Sequence, residues 1–212
     1  MLRCARPTYE AAELRETNLA RSDDALLERL PGILAAHRDW MSSGGREGVR
    51  ADLCRAVLLR RELRGAELGA ALMSHVVLRD SDLEGAQLAM SDLSHADLRG
   101  VRLVKADMRG VNLSRATLTG ADLSDADLSP LDLIDHGGRR VPSRVERARF
   151  DGAILQGCLL RGARLNGASF AGADLRGADF SGAQLRRASF TGARIEGMRL
   201  DGADLSEVVG LG

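Results

Sequence analysis

The chain has 212 residues, enough to bury a sizeable core, and its 30 basic residues balance 30 acidic ones, so no long-range field draws it onto nucleic acid or an anionic membrane. Four Phe, one Trp and one Tyr are too few for an ordinary globular core. Cys4, Cys54 and Cys158 lie too far apart for a disulfide framework or a zinc site.

Residues 1–50 form the first segment and do not share the five-residue period of the remaining chain, apart from Leu14 and Leu19. The stretch Met1 to Pro7 lacks the apolar run of a secretory leader, and no segment has the ~20 apolar residues of a membrane span. A reducing cytoplasm is the expected compartment. From Ser22 the pattern turns helical: Ser22 suits an N-cap, with Asp23 and Asp24 in the first turn. Leu26, Leu27, Leu30, Ile33, Leu34, His37, Trp40 and Met41 fall mostly on one face. Pro31 is expected to break or kink the run, as in two short helices, and Ser42-Ser43-Gly44-Gly45 to end it. The expected role is a short α-helical cap over the open apolar end of the next domain.

Residues 51–212 repeat. From Leu53 to Leu133 a large apolar residue returns at every fifth position, and the series resumes out of phase from Phe150 to Leu205, giving 29 units. Two residues before each large residue stands a small one, usually Ala. Period five fits neither a helix nor a flat strand. The small and large residues, two apart, point inward from a short extended piece, and the residue between them points out. The next two residues must turn the chain, and Gly gathers at the second of them, as at Gly152, Gly157 and Gly162. Each unit is one side and one corner of a coil. Cys158 stands where Ala is usual and reads as a small buried residue.

Units such as Ala96-Asp97-Leu98-Arg99-Gly100, Ala121-Asp122-Leu123-Ser124-Asp125 and Ala173-Asp174-Leu175-Arg176-Gly177 resemble the A(D/N)LXX unit of the pentapeptide-repeat family. The resemblance covers about three quarters of the chain. It implies an all-β solenoid, a right-handed quadrilateral parallel β-helix with four units per coil. About seven coils at ~4.8 Å each would make a column roughly 34 Å tall. Phe150, Phe170 and Phe190 are spaced by 20 and would stack in successive coils; with Leu98 and Leu118 they form the expected core ladder. Related repeat proteins often carry a stretch similar to His37-Arg38-Asp39-Trp40 before the first coil.

Between the two runs, residues 134–147 loop out of the coil, and Arg139, Arg140, Arg144 and Arg147 make the loop a candidate interaction element. His75 and His95 share a corner column with Arg55 and Arg115, a cationic setting that disfavours a metal ion; they read as solvated surface histidines. After Leu205 come Val208, Val209 and Leu211, apolar residues at the far end of the column, where a homodimer contact is expected.

No phosphate-cradling loop or nucleophile elbow is present, and the many aspartates recur through the repeat itself. The expected function is therefore non-enzymatic, without cofactor or metal: a rigid scaffold for an unknown protein partner. The resemblance also implies an alternative, because the family includes quinolone-resistance proteins that mimic duplex DNA and bind DNA gyrase. Mimicry requires an acidic surface, whereas residues 51–212 carry 22 basic and 22 acidic residues. Direct nucleic-acid binding is disfavoured by the same balance and by the lack of an aromatic platform.

Overall fold

The computed structural model describes residues 24–129, 131–134, 140–141, 145 and 147–211. The Leu14, Leu19, Ser22 and Asp23 readings lie outside the described residues.

The solenoid is built from backbone bridges between residues 20 apart. Asp52 pairs with Leu72, Val57 with Val77, Glu62 with Asp82 and Glu67 with Gln87, all parallel, and the series continues upward in all four columns. Each coil therefore has four five-residue sides. The accounting of backbone N–H groups explains why the unit works. In the unit ending at the corner after Leu58, Leu58 donates to the Val77 carbonyl at 2.7 Å and Arg60 to the Arg79 carbonyl at 2.9 Å. Outward-pointing residues donate the other way, as Val77 does to Ala56 at 2.8 Å, and the small residue closes the corner, as Ala56 does to Leu53 at 3.1 Å.

One N–H per unit, at the first corner residue, has no place in that ladder. The outward Asp or Asn two residues earlier serves it in many units. Cys54 donates to Asp52 Oδ1 at 3.1 Å, Ser94 to Asp92 at 3.0 Å, Ser114 to Asn112 at 3.2 Å and Ser181 to Asp179 at 3.0 Å. The polar residue of the unit is thus a turn cap as well as a surface group. The second corner residue adopts positive φ in each complete unit, which costs a side chain roughly 1–2 kcal/mol relative to ordinary helical backbone and explains the glycines.

The interior is a stack of inward residues. Leu98 and Leu118 are 1% and 0% exposed, and Phe150, Phe170 and Phe190 are fully buried. Phe170 stacks on Phe150 at 4.9 Å and on Phe190 at 5.0 Å between ring centroids. Phe180, from a neighbouring side, meets Phe170 and Phe190 edge-on at 5.5 and 5.9 Å.

The interruption lies elsewhere than the five-residue phase suggests. Thr117 pairs with Arg149, Asp122 with Ile154 and Asp127 with Leu159, steps of 32 instead of 20, so 12 residues are extra. They begin after Ser129, whose carbonyl still accepts from Gly110 at 3.1 Å. The next inward large residue is Val145, fully buried and donating to the Arg164 carbonyl at 2.8 Å. Leu133 is not that residue. It lies in β1 (Leu131–Ile134), which pairs antiparallel with β2 (Arg140–Val141). Leu131 and Leu133 are two apart in the sequence, the same spacing as the inward pair of a coil side, so the sequence kept its apparent period while the chain left the coil.

The N-terminal segment contributes one helix, α1 (Asp24–Ser42), which continues past Pro31. The expected break is absent because packing overrides it. Pro31 leaves the Leu27 carbonyl without its helical donor, but Pro31 itself is exposed, Leu30 is buried, and Leu27, Ile33 and Leu34 pack against the core on both sides of the missing bond. α1 lies on the first coil. Met41 sits over Gly69, and the Val49 amide donates to the Ala36 carbonyl at 3.0 Å. At Gly48, φ +71, a Cβ would fall 2.2 Å from that same Ala36 carbonyl oxygen, so only glycine lets the linker pass the helix.

Candidate interaction surface

Of the four arginines of the candidate loop, two lie among the described residues. Arg139 and Arg144 lie outside them. Arg140 opens β2, its Cα opposite Ile134. Arg147 belongs to the coil: its amide donates to the Asn166 carbonyl at 3.0 Å, its φ is +56, and its side chain is exposed at a corner.

His75 and His95 stack in parallel, ring centroids 4.7 Å apart with 9° between planes. Burial, then the neighbouring His95 and Arg55, hold His75 below the ordinary histidine range, against a weaker pull from Asp92. Among the described residues no group of three or more His, Cys, Asp or Glu could hold a metal ion. Burial pushes the Cys158 thiol far above its usual range, as expected for a packing residue.

The outward carboxylates and arginines are paired with one another along the column. Arg79 and Arg99 share Asp97 at 2.6 and 2.8 Å, and Arg109 holds Asp107 at 2.6 Å. Arg176 forms two bonds with Asp174, of 2.8 and 2.7 Å, which hold that carboxyl far below its usual range. Asp179 is buried, which raises its pKa. Hydrogen bonds from Ser181 and Arg161 outweigh the burial and hold it at about 2. Asp82, Glu84, Arg64 and Arg102 form a further cluster. From the sequence alone these aspartates read as a by-product of the repeat. The signal that reading missed is the spacing itself: an Asp two residues before the corner amide, and arginines 2 residues along the chain or 18 across coils from it.

The far end is apolar. Leu205 is 39% and Val209 55% exposed, and Val208 and Leu211 are half-buried beside Ile195, Met198 and Leu200. At the near end, an open groove of about 500 Å³ runs between α1 and the first coil, past Ile33, Ala36, Val49 and Arg50. Among the described residues no helix is long and apolar enough to cross a membrane.

QnrB1, a plasmid-mediated fluoroquinolone resistance protein, is similar in structure at 15% identity, with 71% of this chain and 84% of that one covered and a TM-score of 0.47. HetL, a pentapeptide repeat protein involved in heterocyst differentiation regulation in the cyanobacterium Nostoc sp. strain PCC 7120, is 30% identical over 80% of this chain and 91% of its own, at a TM-score of 0.26. Rfr23, a pentapeptide repeat protein from the cyanobacterium Cyanothece 51142, is 26% identical over 76% of this chain and 88% of its own, at a TM-score of 0.24. No curated protein matches the chain. The family pattern of pentapeptide repeats matches in 8 copies, over residues 62–100, 91–129, 146–182 and 168–206. Those matches span more than half the chain, and the protein belongs to the pentapeptide repeat family.

Proposed function

We propose that this protein is a non-enzymatic, rigid scaffold that presents columns of side chains to a protein partner in the cytoplasm. In this reading the solenoid is a right-handed quadrilateral column of about seven coils. Its near end is capped by α1, and its far end joins a second copy through Leu205, Val208, Val209 and Leu211. The observation that carries the scaffold reading is the commitment of the outward polar groups. Asp97, Asp107, Asp174 and Asp179 each cap a corner or hold an arginine, so they stiffen the surface instead of offering free chemistry. The same pairing speaks against DNA mimicry, which would need those carboxylates to present uncompensated negative charge.

Two measurements test this. Photo-cross-linking from exposed outward positions in the native cytoplasm is expected to capture a discrete protein with the folded chain and not with an unfolded core variant. Failure to enrich any protein over the unfolded control would overturn the scaffold reading. In a gyrase supercoiling assay the protein is expected neither to inhibit the enzyme nor to protect it from a quinolone, and protection would establish the mimic.

A further inference from the structure

One corner of the solenoid differs from the other three. Its second-corner column runs Arg55, His75, His95, Arg115, Arg147, Gly167, Arg187 and Glu207. Seven of these eight residues are non-glycine, and all seven adopt positive φ between 56 and 61°. The other three corners together hold only six such residues, Arg60, Ala70, Asp80, Met90, Lys105 and Asp125, and are otherwise glycine where described. A coil in this family can turn on glycine at no steric cost, so repeated side chains in the left-handed region along a single edge are retained against backbone preference.

The side chains so retained are of one kind. From Arg55 to Arg147 every member is arginine or histidine, and all five are exposed. The arginines outside this column are largely bound to carboxylates, among them Arg79, Arg102, Arg109 and Arg176. Among the described residues Arg55, Arg115 and Arg147 form no ion pair. Arg187 is different: Glu207, next in the column, binds it at 2.7 Å and closes that end of the row. The parallel stack of His75 on His95, 4.7 Å apart, shows that the side chains keep the coil spacing.

We infer that this edge is a docking ridge for an acidic α-helix of a partner protein, with Arg55, Arg115 and Arg147 as its anion-binding positions. This deepens the scaffold reading and rests on it. The match is one of pitch. Five positions at ~4.8 Å span about 19 Å. Carboxylates at i, i+3, i+7, i+10 and i+14 of a helix form one stripe rising about 21 Å, a difference that flexible arginine side chains absorb. The chain has no net charge to concentrate a polyanion, and the phenylalanines are all buried, so a nucleic-acid strand finds neither the broad field nor the stacking platform it uses. Ion pairs matched one by one suit a helix with fixed carboxylate spacing.

The test uses the full chain and a fluorescein-labelled helical peptide of heptads bearing Glu at the first and fourth positions, read by anisotropy at low and moderate salt. The control peptide carries Gln in place of Glu. The double variant Arg115→Gly with Arg147→Gly relaxes the backbone, so it is expected to melt no lower than the parent while binding at least about tenfold more weakly. Lys105→Gly removes one charge at an equally strained position on another corner and is expected to bind like the parent. Equal binding of the Glu and Gln peptides, or equal losses in Lys105→Gly and the double variant, would overturn the inference. So would tighter binding of an oligothymidylate strand than of the peptide. Each of these outcomes strikes the ridge alone. The scaffold reading fails only if cross-linking from the other faces is also empty.

Discussion

The His37 ring lies 3.0 Å from the Gly69 carbonyl oxygen through Nε2, and its Nδ1 accepts the Ala51 amide at 3.0 Å. A corner carbonyl such as that of Gly69 is met elsewhere by an amide of the preceding coil, as Glu84 is by Gly65. At the first coil a side chain from α1 supplies both partners, so the imidazole must be neutral with its proton on Nε2. Trp40 stacks on that ring at 5.6 Å, with the Arg50 guanidinium 5.8 Å from the indole centroid.

The first prediction is a pH dependence. Burial lowers the His37 pKa below its ordinary 6.5, outweighing the Gly69 bond, with Arg50 adding to the fall and Glu67 opposing it. A depressed histidine contributes stability that is fully present above the unfolded value. It is lost as pH falls below about 6.5, where the unfolded chain takes up the proton first. His75 acts in the same sense. The melting temperature is expected to hold from pH 8 to 7 and to decline toward pH 5. His37→Ala should cost about 1–3 kcal/mol at neutral pH, because it leaves the Ala51 amide and the Gly69 carbonyl without their partner. It should also flatten the decline, and a full decline in that variant would show that the titration lies elsewhere.

The second prediction concerns the ladder. Leu98 is 1% exposed between Leu78 and Leu118. Leu98→Ala is expected to cost about 2–5 kcal/mol in denaturant unfolding. Leu98→Asp places an unpaired charge between coils and should leave no cooperative transition. A cooperative melt in the aspartate variant would place that side chain outside the core.

Much of this architecture was legible in the chain. Period five fixed which residues face inward, and the spacing of Phe150, Phe170 and Phe190 marked four sides to a coil. Three features were hidden for different physical reasons. Leu133 kept the period while its strand had left the coil, because alternation in a hairpin and in a coil side look alike over four residues. Pro31 reads locally as a helix breaker, but the burial of Leu30 is a tertiary matter. Arg147 joins the corner of Arg55, His75, His95 and Arg115 only once the 12 extra residues are removed from the count, since it is otherwise out of phase. The candidate loop, by contrast, was drawn from composition, and composition did not separate Arg147, which is part of the coil, from its neighbours.

The third prediction separates the two tasks of Asp179. Its carboxylate accepts from the Ser181 amide at 3.0 Å and from Arg161 at 2.7 Å. Asp179→Asn keeps the turn acceptor and loses the charge, and is expected to be destabilised at pH 7, though less than Asp179→Ala. Asp179→Ala leaves the corner amide without its partner, at about 1–3 kcal/mol. Because the folded pKa is depressed to about 2, the parent should lose the contribution of the charge as pH falls from about 4 toward 2, and the asparagine variant, which already lacks it, should show no such decline. Equal destabilisation by Asn and Ala would mean that charge pairing, not turn capping, is the larger effect.

The fourth prediction concerns the last coil. Its inward residues Ile195, Leu200 and Leu205 are half-buried or exposed, where their counterparts one coil below are buried. The amides of Ile195, Leu200 and Leu205 have no backbone acceptor among the described residues, although each equivalent amide below donates to the next coil. Val208, Val209 and Leu211 add apolar surface to the same end. A two-fold contact between two such ends would remove both apolar faces from water and shield both rows of strand edges, and identical patches meeting across a two-fold axis are the commonest way to do so. Light scattering is expected to report a dimer for the full chain. Val208→Asp with Val209→Asp should convert it to a folded monomer, because a charge from each copy would then face its twin in a desolvated contact. A monomer at high concentration would refute the contact. A dimer indifferent to both substitutions would move it away from this end.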